Sequence, residues 1–307
     1  MKVAILGGSG FIGTHLTEHL LAAGHQVQIW TRAPEEYDLD YDVELQKWPL
    51  DESRKHLDID AIVNLAGETI NQRWTAEAKE RILHSRVDTT YHVVQLIKKG
   101  FLAPKIIVNG SAVGYYGTSK NKKFKENDPP QNDFLSQVAA AWEKVAEQFK
   151  SLNQPIRLVK LRFGLVLGDG GALPKMALPY KMFAGGRVGS GKQWVSWIHV
   201  HDISRMITFA LEQEQVEGVY NAVAPHPVMM NELGKTIGQA LNRPHWLPAP
   251  SFAFQLALGE MSDLLLKGQH VLADKIQHEG FTFAYPKLLP ALKQSLQKKS
   301  TQEVDDK

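Results

Sequence analysis

Val3-Ala-Ile-Leu-Gly-Gly-Ser-Gly-Phe-Ile-Gly13 sets a short apolar run directly before a glycine-rich turn. His15–Ala23 follows, with Leu16, Leu20 and Leu21 on one helical face and Gly24 to stop it. Strand, glycine turn and helix in that order are what a pyrophosphate needs. Gly7 allows the tight turn, Gly10 lets backbone approach phosphate, and Gly13 lets the helix pack close to the strand. The free N–H groups of the helix start then face the negative charge. We therefore expect a dinucleotide held by Gly7, Ser9, Gly10, Phe11, Ile12 and Gly13. A purely structural glycine turn is the plainer alternative.

The second apolar run, Val27-Gln-Ile-Trp-Thr-Arg32, ends in a cation 19 residues after Gly13. A carboxylate there takes ribose hydroxyls in NAD sites, whereas Arg32 suits a 2′-phosphate. The expected cofactor is NADP, with NAD as the lesser choice and a plain surface arginine as the other reading of Arg32.

Further apolar runs at Ala61–Leu65 and Ile106–Val108 alternate with periodic segments at Ala76–Lys99 and Val138–Phe149. Strands spaced by helices predict right-handed βαβ units, hence an α/β, Rossmann-type doubly wound parallel sheet. Beyond Gly164 the chain turns rich in Gly and Pro and loses its period, while Trp194–Val200 and Val219–Val223 read as late strands. These features predict a dinucleotide-binding domain over 1–164, with 197–224 returning to it, and a smaller C-terminal substrate domain from 165–196 and 225–295. Residues 296–307 read as a polar tail.

Composition narrows the function. The 307 residues are 43% hydrophobic and 22% charged with a net charge of +2, as expected for a soluble globular chain and not for a nucleic-acid binder. The basic stretch Lys120–Lys125 is short, runs into Glu126 and Asp128, and reads as a solvated loop. No cysteine is present, which excludes disulfides, thiolate metal sites and a cysteine nucleophile. No run is long enough to span a bilayer, and the glycines and histidines after Leu6 do not fit a secretory leader. The expected setting is cytoplasmic, with a small-molecule partner, neither nucleic acid nor membrane, and a homodimer left open.

At this point the residues resemble the extended, sugar-nucleotide epimerase-like branch of the short-chain dehydrogenase/reductase superfamily. The resemblance rests on the glycine spacing at 7–13, Asn64-Leu-Ala-Gly67, Ser111, Tyr115-Tyr-Gly117 and Trp197-Ile-His-Val-His-Asp202. A closer likeness spans nearly the whole chain through Ser85-Arg86, Phe134-Leu135, Trp142-Glu143, Gly164–Gly168 and Gly189–Gln193. That subgroup is usually labelled "epimerase family protein", and the segment from Pro248 to Leu292 is similar to its extra C-terminal module. The resemblance implies that Asn64, Leu65, Ala66 and Gly67 line the adenine pocket and that Ser111 holds the position of a catalytic serine.

The same resemblance exposes a gap. The superfamily's proton-exchanging tyrosine and lysine fall, when Glu143 anchors the register, on Leu135 and Ala139, and a shift by one residue offers Phe134 and Val138. None of these can exchange a proton. Candidates to replace the pair are Ser111, Tyr115, Tyr116 and Glu68, with Arg86 as a cation for cofactor or carbonyl. A lowered phenol pKa beside a cation would let either tyrosine act. Against these stand plainer roles: packing for the tyrosines, anchoring for Arg86, and a helix cap for Glu68. His199 and His201 read as two residues on one strand face without a third ligand, so no metal is expected. Asp38, Asp40, Asp42 and Glu44 read as a solvated edge, and Gly185–Gly191 with Arg187 and Lys192 as an anion-binding loop or a plain lid. Two functions remain open. One is an NADP-linked epimerase or oxidoreductase with a rearranged acid/base set, acting on a small molecule such as a sugar nucleotide or other carbonyl or hydroxyl compound. The other is a non-catalytic NADP-sensing regulator or scaffold that binds a protein partner.

Overall fold

A computed structural model of the chain describes residues 1–36, 43–51 and 56–302. Seven parallel strands form its central sheet: β1 (Lys2–Leu6), β2 (Gln26–Thr31), β3 (Glu44–Lys47), β4 (Ala61–Asn64), β5 (Ile106–Ala112), β6 (Arg157–Phe163) and β7 (Gly218–Ala222). Their order is β7-β6-β5-β4-β1-β2-β3, with Leu6 registered against Trp30 on one side and Asn64 on the other. The chain direction across the sheet reverses between β1 and β4, and a crevice opens beyond the carboxyl ends of strands at such a point.

The central strands β1 and β4 are mostly apolar because both their faces are covered. Val3, Ala4, Ile5, Ala61, Ile62 and Val63 are wholly buried. Each large aliphatic side chain among them contributes about 1.5–3 kcal/mol by leaving water. One face is covered by α1 (Phe11–Ala22) and α5 (Val200–Glu212), through Leu16, Leu20, Ile203 and Met206. The other is covered by α2 (Ala76–Lys98) and α3 (Phe134–Ala146), through Val93, Leu96 and Ala146. A third apolar cluster joins Leu173, Ala177 and Tyr180 of α4 (Leu173–Lys181), Leu233 and Ile237 of α6 (Met230–Leu241), and Ala291 and Leu292 of the helix Leu288–Gln302.

Several elements differ from their sequence expectation. The helix expected through Asp133–Glu143 and on to Phe149 begins at Phe134, where the Asp133 carboxylate accepts from the Ser136 N–H and caps it, but ends at Ala146 and tightens into a 3-10 turn over Glu147–Ser151. The stretch Trp194–Val200 is two short strands, Trp194–Val195 and Trp197–His199, after which the chain turns into α5. His199 and His201 therefore do not share a strand face. Edge strand β3 was not foreseen, since Glu44-Leu-Gln-Lys47 is short and mostly polar. Asp38, Asp40 and Asp42 lie outside the described residues, while Glu44 opens β3. The C-terminal helix runs on to Gln302, into the segment that reads as tail.

Candidate functional site

The glycine turn leaves β1 with Gly7 at φ 76° and closes through Gly10 N–H donating to Gly7 O at 3.0 Å. A Cβ on Gly7 would lie 3.0 Å from the Leu65 carbonyl carbon and the Ala66 nitrogen, so the two turns press together. A Cβ on Gly13 would lie 2.4 Å from Gly7 O, which fixes how close α1 comes to β1. Gly8 carries a constraint that the spacing did not suggest: its Cβ would meet Ile29 at 2.9 Å. Helix α1 starts from Gly10 with no side-chain cap and no acidic residue in its first turn. Its first N–H groups are thus left for an outside anion, where the helix dipole favours one. Ser9, Phe11 and Ile12 are half-buried beside them. Arg32 is exposed just past β2 and forms no ion pair or hydrogen bond among the described residues.

The turn after β4 is braced from below. Asn64 is buried, donates from Nδ2 to Thr90 Oγ1 at 2.9 Å and to Asn109 Oδ1 at 2.8 Å, and accepts from Ala66 N–H at 3.3 Å. Its side chain shapes Leu65-Ala-Gly67 and faces inward. Behind that turn stands Arg86, whose Cζ would lie 2.8 Å from a Cβ on Gly67. Arg86 Nη1 donates to Glu68 O at 3.1 Å and Ile82 O at 2.8 Å, while its Nε and Nη2 have no partner among the described residues. Burial brings its pKa down to about 10, so it remains a cation at neutral pH. Glu68 does not cap α2. Thr75 does, accepting from Ala78 N–H at 3.2 Å, and the Glu68 carboxylate takes a hydrogen bond from Gln72 at 3.2 Å.

Where the tyrosine–lysine pair would stand, Leu135 is half-buried and Ala139 is buried. Beside them lies a buried charge network. The Ser111 hydroxyl donates to Glu143 Oε1 at 2.7 Å. Arg162 also holds that carboxylate, and Lys160 lies 3.5 Å from it and pairs with Glu147. Arg162 Nη1 donates to the Tyr116 hydroxyl at 2.7 Å, and that hydroxyl donates to Asn221 Oδ1 at 2.7 Å. Tyr116 has no exposed surface, and burial pushes its phenol up to about 12, opposite to the lowering that proton transfer would require. Tyr115 differs. It is half-buried, its ring centroid lies 3.5 Å from Arg162 Cζ, and its hydroxyl has no hydrogen-bond partner among the described residues.

Lys160, Arg162 and Asn221 join Glu143 in this network without belonging to any of the motifs. The signal was there in Arg157-Leu-Val-Lys-Leu-Arg162, an inner strand with two cations two residues apart, which requires buried partners. His199 is buried, its Nε2 lying 2.9 Å from Gln294 Oε1, and its Nδ1 accepts from His201 N–H as the cap of α5. Among the described residues no cluster has the makings of a metal site. In the loop 185–191, Gly189 and Gly191 take positive φ, and Arg187 and Lys192 are exposed without ion pairs among the described residues. Trp197 is buried with its indole N–H on His226 O, while Trp194 packs on His270. No described helix is long and apolar enough to cross a membrane.

Comparison with known proteins adds the following. Residues 3–222 match the family model described as NAD dependent epimerase/dehydratase family, and residues 249–295 match a domain of unknown function, DUF1731. The Bacillus subtilis epimerase family protein YfhF is 44% identical over 306 residues, covering 98% of this chain and 100% of that protein. The chloroplastic epimerase family protein SDR39U1 homolog of Arabidopsis thaliana is 39% identical, covering 97% of this chain and 87% of that protein. The crystal structure of human epimerase family protein SDR39U1 (isoform 2) with NADPH superposes with a TM-score of 0.88 at 36% identity, covering 97% of this chain and 99% of that one.

Proposed function

Because the chain belongs to the NAD-dependent epimerase/dehydratase family, we propose that it binds NADP(H) and acts on a small carbonyl or hydroxyl compound, a sugar nucleotide among the candidates. The observation that carries this reading is the start of α1, uncapped, free of acid, and pressed against the turn after β4 by glycines whose Cβ space is filled. Gly7 to Gly13 would hold the pyrophosphate, Leu65 to Gly67 the adenine side, and Arg32 the 2′-phosphate. Arg86, with two free donor positions, would face the cofactor from behind that turn. The NADPH in the human relative's structure supports the choice of cofactor. We take residues 1–164 with 197–224 as the dinucleotide-binding part and 165–196 with 225–295 as the substrate-binding part. The lack of cysteine supports the cytoplasm as its setting.

When bound, the nicotinamide supplies or accepts a hydride at a substrate carbon. Proton exchange at the substrate oxygen then needs a hydroxyl, and Leu135 and Ala139 have none. We assign that task to Tyr115, whose phenol is the unengaged one. The Arg162 guanidinium lies over its ring and holds it in place, and Glu143 fixes the guanidinium from the other side. Ser111 and Tyr116 serve as positioning groups, since their hydroxyls are tied into the buried network. Glu68 is left outside the chemistry by its bond to Gln72.

A sensor without turnover is the second reading, favoured by apolar Leu135 and Ala139 and by the engagement of Ser111. A panel of aldehydes, ketones and sugar nucleotides, followed by NADPH absorbance and product analysis, separates the two. The enzyme reading expects turnover that Tyr115→Phe lowers by about 100-fold with NADPH affinity retained. Turnover that Tyr115→Phe leaves intact removes Tyr115, and NADPH binding without turnover on any substrate favours the sensor.

A further inference from the structure

The guanidinium of Arg86 is fixed in place but only half engaged. Its Nη1 donates to the Glu68 and Ile82 carbonyl oxygens at 3.1 and 2.8 Å. Gly67 lies flat against it, since a Cβ there would stand 2.8 Å from Cζ, 3.0 Å from Nη2 and 3.1 Å from Nε. The Trp142 ring lies 5.4 Å from Cζ. What remains is Nε–H with the Nη2 hydrogen beside it, and neither has a partner among the described residues. Those two donors are coplanar and parallel, the side-on fork that meets two oxygens of one carboxylate or phosphate.

No described carboxylate offsets this charge. Glu68 raises the Arg86 pKa, but its own carboxylate takes the Gln72 amide and lies 4.0 Å from Arg81. The buried charges beside α3 cancel among themselves, Arg162 and Lys160 against Glu143 and Glu147. A half-buried cation with two free donors is costly by about 1–3 kcal/mol unless a ligand or water meets them.

The place of the fork says which ligand it suits. Trp142 shares one face of α3 with Ala139 and Leu135, and Leu135 lies two turns, about 10 Å, from Trp142. A Cβ on Gly114, the residue before Tyr115, would stand 3.3 Å from Leu135 Cβ. Arg86 thus marks one end of an uncharged α3 face and Tyr115 the other. The pyrophosphate of a dinucleotide has the free N–H groups at the start of α1, which leaves the fork for the other reactant.

The geometry points to Arg86 as the anchor for an oxyanion of the substrate, a carboxylate or phosphate several bonds away from the carbon that reacts. That the oxyanion belongs to the substrate rests on the dinucleotide reading given above; the oxyanion site itself does not.

The test follows the Arg86 Nε–H resonance by NMR in cofactor-free and NADPH-saturated protein, at constant ionic strength, as inorganic phosphate, acetate or chloride is added. Phosphate and acetate offer two oxygens and chloride offers a single centre. The first two should move the resonance and slow its exchange with water by at least about threefold, with NADPH as without it, while chloride leaves it in place. The Gly67 amide should follow in wild type and stay still in Arg86→Lys, which keeps the charge and loses the fork. Urea unfolding shows whether that variant is folded, and the wild-type titrations decide alone if it is not. A resonance that no anion moves, or that chloride moves equally, overturns the site. A resonance that NADPH shifts and closes to phosphate gives the fork to the cofactor and overturns the substrate assignment. A response to phosphate in a protein that binds no NADPH sustains the oxyanion site and overturns the dinucleotide reading instead.

Discussion

Arg162 grips Glu143 through two hydrogen bonds, Nε to Oε1 at 2.7 Å and Nη2 to Oε2 at 2.9 Å, with both side chains almost closed off from water. Removing one partner leaves the other charge buried and alone. Glu143→Ala should lower the free energy of unfolding in urea by about 3–5 kcal/mol. Glu143→Gln, which keeps the acceptor for Ser111, should cost less. A loss below about 1 kcal/mol for the alanine variant would show that water reaches this network.

The central sheet was legible because Val3–Leu6, Ala61–Val63 and Ile106–Val108 are short, wholly apolar runs, and because the first of them leads straight into the glycine turn Gly7-Gly-Ser-Gly-Phe-Ile-Gly13. Motif order across the chain carried the family and the C-terminal module, which matches at 249–295. Contacts between distant segments were not legible. Ser111 and Tyr116, Glu143, Arg162 and Asn221 come from four separate segments and meet only after the sheet forms. Nothing local in Tyr115-Tyr116 says which ring is enclosed and which keeps a free hydroxyl. Thr75 took the helix cap that Glu68 could also have supplied, a choice between two acceptors that spacing does not settle.

Acid should loosen the fold through His199. Its pKa in the folded chain, about 4, lies below the ordinary 6.5, so the unfolded chain takes up the proton first. The resulting stability is present above pH 6.5 and is lost as pH falls towards 4, by about 3 kcal/mol in all. His199→Asn retains an acceptor to cap α5 and should flatten this part of the stability-against-pH curve, even though lost packing on Tyr285 lowers the curve as a whole. Equal slopes for the two proteins between pH 6.5 and 4 would contradict the assignment.

Alkali should act through Tyr116. A folded-state pKa of about 12 against an ordinary 10 means that stability is complete below pH 10 and is lost as pH rises towards 12. Tyr116→Phe leaves Asn221 Oδ1 and one Arg162 donor without their phenol partner and should cost about 1–3 kcal/mol at neutral pH. NADPH affinity should hold within twofold or so. A large drop in affinity would mean that this ring reaches the cofactor.

Two glycines separate binding from stability. Gly13→Ala forces a Cβ within 2.4 Å of Gly7 O, backbone against backbone, and should cut NADPH affinity by more than about tenfold. Gly24→Ala meets no atom within 4 Å but must hold φ at 79°, so it should cost about 1 kcal/mol of stability and leave affinity alone. Calorimetric titration with NADPH and urea unfolding on both variants would check the pair.

Fluorescence titration of the purified protein with NADPH and NADH, repeated on Arg32→Ala, tests whether the glycine turn and Arg32 hold a 2′-phosphorylated dinucleotide. NADPH should bind at least about tenfold more tightly than NADH, and Arg32→Ala should erase the difference by weakening NADPH alone. Equal affinity for the two nucleotides, or no binding of either, would contradict it.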